Sequence, residues 1–270
     1  MRLSSNLQKE REDLVVFSIF AFIFGAMIGS FLNMLIYRLP LEISLLNPKR
    51  SICPNCQNEI KWYENIPIVS YFFLRGKCSH CKESISMSYL FVEILSGIVF
   101  LALFLKFGLN STFLLYGLLF SLLILLSCID LKYKAVPDYL LLLSLMVALF
   151  LPNFSFTDAL LFAGGFVLLD FVVTFYIQNI KAKITKNEEL RTQKALGEGD
   201  IPIVAIIGGI LGVKLGLFAI IFASVFALFP ALYGQIKHKE IEIPFIPYLS
   251  LGLFIVFIFE EKLQITHWLG

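Results

Sequence analysis

The sequence predicts an all-α polytopic membrane protein, about eight transmembrane helices with a small cytoplasmic zinc-binding insert. Three observations point there. The 270 residues are 58% hydrophobic and only 16% charged, with a mean hydropathy of +0.83; no ordinary soluble domain of this size reads that way. Apolar runs alternate with short polar segments along almost the whole chain. One longer polar segment, 38–87, carries two Cys-x-x-Cys pairs.

The expected spans are 14–37, 88–105, 111–130, 139–157, 159–180, 201–213, 215–236 and 243–259. The first ends in Tyr37-Arg38-Leu39-Pro40 with no small-residue cleavage site, so it reads as a retained helix rather than a removed signal. The domains follow as a first membrane helix (14–37), the insert (38–87) and a seven-helix core (88–260). The segments 38–87, 131–138, 181–200 and 235–242 hold 7, 2, 5 and 2 Lys or Arg residues. Eight spans put all four on one side, which positive-inside bias makes the cytoplasm, with both chain ends outside. The net charge of +2 marks no nucleic-acid surface.

The insert contains Cys53-Pro-Asn-Cys56, then 21 residues, then Cys78-Ser-His-Cys81. Each pair on a tight turn aims two thiolates at one centre, and two turns complete a tetrahedron for structural Zn²⁺. About 50 residues with few apolar side chains need such a source of folding energy. Two disulfides or four free thiols are the alternative, and a cytoplasmic location disfavours disulfides. His80 is a possible substitute ligand, but Cys81 completes the pair better. Cys128, inside an apolar run, reads as a small core residue.

Two carboxylates carry the chemistry. Asp130 follows 19 uncharged residues, Ser111–Ile129, and opens Asp-Leu-Lys-Tyr-Lys-Ala-Val-Pro-Asp; Asp200 closes Gly197-Glu198-Gly199-Asp200 before another apolar run. Carboxylates at membrane depth are expensive and therefore functional by default. The assigned spans put both at the cytoplasmic ends of their helices. There, one ionised group can activate water while a protonated partner polarises a carbonyl or donates to a leaving group, which suits peptide-bond cleavage. Asp130 sits at a helix C-terminus, where the dipole opposes negative charge. Pro137 and Asp138 suit a helix start, and Gly197 and Gly199 make a turn that lets a substrate strand approach. Glu93 and Asp170 fall within spans. Glu93 is a candidate for substrate or methyl-donor contact, and Asp170 reads as interhelical structure. The run Ile201–Val213 covers only about 20 Å, short of a hydrocarbon core of about 30 Å, so a thinned bilayer or a helix immersed off-centre is expected to bring water to Asp200.

Four blocks together resemble the type IV prepilin peptidases, the leader peptidase/N-methyltransferases. They are Gly29-Ser30-Phe31-Leu32-Asn33 running to Tyr37-Arg38-Leu39-Pro40; the cysteine pairs enclosing Trp62-Tyr63-Glu64-Asn65-Ile66-Pro67 and Leu74-Arg75-Gly76-Lys77-Cys78; Asp130-Leu131 with Pro137-Asp138; and Gly197-Glu198-Gly199-Asp200. The resemblance implies a GxGD-type aspartic intramembrane peptidase of the bacterial inner membrane, with Asp130 and Asp200 as the catalytic pair. Its substrates and partners would be prepilins or pseudopilins of a pilus, type II secretion or DNA-uptake system. The cysteine insert implies bifunctional members that use S-adenosylmethionine to methylate the new N-terminus. Arg38, Glu64, Asn65 and Glu93 are the polar candidates for donor or substrate binding, and no Gly-rich dinucleotide fingerprint marks that site. The chain departs from the family pattern at Met87, Asp170 and Ile246. The rival readings are a peptidase with a purely structural or docking insert, an ion transporter, and an assembly factor indifferent to its aspartates.

Overall fold

The computed structural model describes residues 2–45, 51–53, 55–185, 188, 191, 197–236 and 243–263. The basic segments 181–200 and 235–242 lie partly outside the described residues. Helices dominate, and among the described residues the only β pairing is two isolated bridges, Ile52 with Glu59 and Lys77 with Ser84. The chain divides into two compact units, 1–125 and 126–270.

In the first unit α1 (Arg2–Arg38) packs along α3 (Met87–Phe107). Gly25 and Gly29, one turn apart, permit this approach. A Cβ at Gly25 would lie 2.6 Å from the Ser96 carbonyl oxygen, and one at Gly29 2.8 Å from Glu93 Cα. Small residues four apart let two apolar helices close on each other where lipid offers no hydrophobic gain. Asn33 ties the same pair by donating to the Tyr89 carbonyl at 2.9 Å. Helix α1 begins well before the expected span, because the polar tail 2–13 continues the same helix. Between α1 and α3 lies the insert, with a 3₁₀ turn (Trp62–Asn65) and the short helix α2 (Val69–Phe73). Helix α4 (Ser111–Tyr133) starts where Asn110 Oδ1 accepts the Phe113 N–H at 2.8 Å. It runs unbroken from the first unit into the second.

The second unit adds α5 (Asp138–Leu149) and α6 (Phe156–Phe175), the latter continuing through a π-helical stretch (Tyr176–Lys181) into α7 (Ala182–Thr185). Helix α5 stops short of the expected residue 157 because Pro152 and Asn153, the latter at φ 63°, turn the chain. Then come α8 (Asp200–Ile236) and α9 (Ile246–Leu263). Helix α8 is interrupted at Gly212, whose φ of 69° and ψ of −176° leave helical space; that region is essentially reserved for glycine. The Phe162 ring shows how sharp the break is. A Cβ at Gly208 would lie 2.6 Å from its Cγ, and one at Gly216 2.7 Å from its Cζ. Eight residues of straight helix would separate those positions by about 12 Å along the axis, more than one ring can bridge. The chain therefore turns around Phe162, leaving segments 200–211 and 213–236, close to the expected 201–213 and 215–236.

Among the described residues, five stretches are long and apolar enough to cross a membrane: Arg11–Arg38, Met87–Phe107, Ser111–Tyr133, Phe156–Thr185 and Asp200–Gly234. Two shorter apolar helices accompany them, Asp138–Leu149 and Ile246–Glu260. Large apolar side chains such as Val16, Phe20, Leu168 and Phe171 cover outward faces, a surface that water would not tolerate on this scale.

Candidate functional site

Asp130 lies at the C-terminal end of α4 and Asp200 opens α8. Both belong to the second unit and both are buried, 8% and 7% exposed. Their placement follows from local sequence. The apolar face of α4 carries Asp130 inward with Leu126 and Ile129, both fully buried. The Gly197–Gly199 turn folds back, with the Asp200 N–H donating to the Gly197 carbonyl at 3.1 Å. The Asp130 charge acts on Asp200 electrostatically.

A third segment completes the surroundings. The Ile246 N–H, at the start of α9, donates to Asp130 Oδ2 at 3.3 Å. The Ile246 side chain is 2% exposed, and its Cδ1 would lie 3.8 Å from a Cβ at Gly199; Leu141 Cδ1 of α5 would lie at 3.4 Å. One residue thus holds Asp130 through its backbone and abuts the Asp200 turn through its side chain. The sequence flags Ile246 only as a departure from a family pattern; its neighbours Pro244 and Pro247 mark a helix start, but nothing marks the donor. Pro137 precedes α5, and Asp138 occupies its first turn, exposed, where the helix dipole favours it.

The four insert cysteines converge. The Sγ atoms of Cys53, Cys56, Cys78 and Cys81 all lie within 4.8 Å of one another, with Cys53 and Cys81 3.9 Å apart. Four thiolates about 2.3 Å from one Zn²⁺ would sit about 3.8 Å apart, so the cluster fits a tetrahedral metal ion. The two knuckles repeat one design. The Gln57 N–H donates to the Cys53 carbonyl at 2.8 Å, as Lys82 does to Cys78 at 3.1 Å. Both residues take positive φ, 58° and 61°, and each knuckle is closed by one of the isolated bridges. The backbone N–H groups of Cys81 and His80 push the Cys78 thiol down to about 7, which readies it as a thiolate ligand. Cys128 lies apart in α4, half-buried, and is not one of the cluster.

Of the remaining polar candidates, Arg38, Glu64, Asn65 and Glu93 belong to the first unit and Asp170 to the second. Arg38 ends α1, 6% exposed, and its Nη1 donates to the carbonyls of Ser44 and Leu45 at 3.1 and 3.2 Å. Glu64 Oε2 accepts the Lys61 N–H at 3.1 Å. Slight burial pushes the Glu64 carboxyl up, but the Lys61 N–H and the Ser79 hydroxyl outweigh it and hold it below its usual range. Asn65 is exposed. Glu93, half-buried in α3, accepts the Ile68 N–H at 2.7 Å and bonds the Ser30 side chain. Asp170 accepts from Thr174 on its own helix at 3.2 Å.

Comparison with known proteins finds relatives along most of the chain. Residues 23–107 match the bacterial peptidase A24 N-terminal domain, and residues 117–232 match the type IV leader peptidase family. A Vibrio cholerae protein named prepilin leader peptidase/N-methyltransferase is 36% identical over 211 residues, 74% of this chain and 78% of its own. Proteins of the same name from Aeromonas hydrophila and Bacillus subtilis are 31% and 29% identical, covering 92% and 90% of this chain and 91% and 94% of their own. No solved structure matches the chain. The two family matches in chain order, and identity of this extent across most of both chains, establish that the chain belongs to the type IV leader peptidase family.

Proposed function

We infer that the chain is a membrane aspartic peptidase that removes the leader from type IV prepilins or pseudopilins and then N-methylates the new N-terminal residue. The juxtaposition of buried Asp130 and Asp200 carries this reading, and the names of the relatives support it. One carboxylate takes a proton from water as the water oxygen attacks the scissile carbonyl. The protonated partner polarises that carbonyl, and the carbon–nitrogen bond then breaks with a proton delivered to the leaving amine. The roles belong to the pair, because two coupled carboxyls titrate as a unit. The Ile246 N–H holds Asp130 in place during both steps.

The enzyme would cross the bacterial inner membrane eight times, with the break at Gly212 separating two passes, and both aspartates would lie at the cytoplasmic edge. Residues 88–260 would form the peptidase, and the insert 38–87 would serve methyl transfer. The four cysteines would hold a structural Zn²⁺. S-adenosylmethionine would supply an activated methyl group: the neutral N-terminal amine of the cleaved pilin would take it as the methyl–sulfur bond breaks, the neutral thioether leaving with that electron pair and the amine losing a proton to solvent.

Co-expression with a prepilin, followed by mass spectrometry of the product's N-terminal peptide, tests both reactions. Asp130→Asn and Asp200→Asn should each lower cleavage at least about 100-fold while the protein still inserts. Cleavage near the wild-type rate by either variant would refute the pair. A wild-type product without its leader but also without an added methyl would leave the insert a structural or docking module.

A further inference from the structure

The insert carries an outer face that a water-soluble module of its size rarely tolerates. Helix α2 groups Val69, Phe72 and Phe73, because positions three and four apart share one side of a helix; they are 47, 65 and 85% exposed. Trp62 and Tyr63, in the 3₁₀ turn that lies against α2, add two more exposed rings, packed edge to face at 5.7 Å. The opposite side of α2 is the one tied to protein. The Tyr71 hydroxyl donates to the Ile85 carbonyl at 3.3 Å, and its ring covers Gly76, where a Cβ would lie 3.0 Å from Cζ. The helix therefore turns Tyr71 toward the second cysteine knuckle and its apolar side outward.

The depth of α2 is fixed by one membrane residue. Glu93 lies about 9 Å along α3 from Met87, inside a 21-residue apolar helix long enough for a hydrocarbon core. Its Oε2 accepts the Ile68 N–H at 2.7 Å, and Ser30 of α1 bonds the same carboxyl. Ile68 immediately precedes α2. With φ 63° and ψ −53° it forms the centre of a γ-turn, closed by the Val69 N–H donating to the Pro67 carbonyl at 2.6 Å. This turn is strained, and a β-branched residue adopts it only when its surroundings impose it. The clamp sets the start of α2 alongside the first two turns of α3. Basic side chains flank the apolar face: Lys61 precedes Trp62, Arg75 and Lys77 follow α2, and all three are exposed.

We propose that α2 is a lipid anchor: Val69, Phe72, Phe73 and Trp62 lie among acyl chains beside α3, and Lys61, Arg75 and Lys77 meet anionic headgroups. The register with Glu93 selects lipid as the occupant, because a protein arriving from water would have to displace bilayer to reach this face. Aromatic rings favour the membrane boundary, a surface-lying amphipathic helix immerses its apolar side about 5–10 Å, and basic side chains near an anionic surface are attracted to it. The anchor keeps the cysteine insert on the bilayer where α1 ends and α3 begins, instead of leaving it on a free loop.

Tryptophan fluorescence of the full-length protein tests the anchor, in vesicles of equal parts phosphatidylcholine and phosphatidylglycerol. Trp62 and Trp268 are the two tryptophans, so Trp268→Phe leaves Trp62 as the reporter; the difference between wild type and Trp62→Phe gives the same reading if that variant does not fold. Phe73→Trp, with both natural tryptophans replaced by Phe, reports on α2 itself. Each reporter should lose most of its emission to lipids brominated on their acyl chains and be shielded from acrylamide. Acrylamide access equal to that of free N-acetyltryptophanamide, without quenching by bromolipid, places the face in water and overturns the anchor. Shielding from acrylamide without quenching by bromolipid overturns it as well, because protein, a second copy or a substrate, then covers the face. Replacing Lys61, Arg75 and Lys77 with Gln should raise acrylamide access at Trp62 at least about fivefold, the worth of one basic residue at an anionic surface; unchanged access overturns the headgroup contacts.

Discussion

Ile246 shows how much one residue can contribute without reactive chemistry of its own. Its N–H reaches Asp130, and its buried side chain lies against the turn that carries Asp200. The two contributions can be separated. Ile246→Ala keeps the donor but removes buried apolar volume, and should cost about 2–5 kcal/mol in thermal unfolding of the detergent-solubilised protein. Ile246→Pro removes the N–H as well as the side chain, at a position where a helix start tolerates proline, and should slow leader cleavage about tenfold or more beyond Ile246→Ala in the mass-spectrometric assay. The sequence singles out Asp130 and Asp200 because a carboxylate next to an apolar run demands a reason, and both are buried. The Ile246 donor was not legible there, since every non-proline residue carries an N–H and this one comes from 116 residues away. The cysteines were legible through spacing alone. Cys81→Ser should lower bound zinc from one ion per chain, read by elemental analysis of the purified protein, and render the insert sensitive to limited proteolysis.

Among the elements, the interruption of α8 has the widest consequences. An uninterrupted helix over 200–236 would be about 55 Å long, far more than a bilayer needs. The break leaves 200–211 at about 18 Å, and its neighbour α5 is also only 12 residues. Both begin at the aspartate end. A short helix beside another short helix implies a locally thin hydrocarbon layer. Single-cysteine variants through 200–211 should therefore react with water-soluble reagents at 200 and for about one turn beyond, and a fully protected position 200 would sink the idea. Gly212→Ala should cost about 1–3 kcal/mol, because φ 69° with ψ −176° is closed to a Cβ; the melting temperature reads it. The separation of the two segments was visible in sequence through Lys214, but the residue that makes the turn was not. A charge marks where a span has to end, whereas the backbone geometry there depends on Phe162 fitting between Gly208 and Gly216. Helix α5 was overestimated for the opposite reason: Phe150, Leu151, Phe154 and Phe156 look like membrane residues although Pro152 and Asn153 have already ended the helix.

At the scale of the whole molecule, the class was the most legible feature, because composition alone excludes a water-soluble fold. The division into two compact units was not, because their boundary falls at 125/126, inside α4, where nothing in the apolar run Ser111–Ile129 distinguishes one half from the other. That position separates the cysteine insert from the two aspartates, so the two proposed activities rest on different units. Co-expressed fragments 1–109 and 110–270 should reassemble and cleave prepilin, since the cut falls in the turn that Asn110 closes. Fragments 1–125 and 126–270 should not, because each would inherit part of a membrane helix too short to insert. For gene fusion or recombination between relatives, the workable seam is the short hairpin ahead of Ser111, and every chimera joined there inherits Asp130 together with the whole rod that carries it.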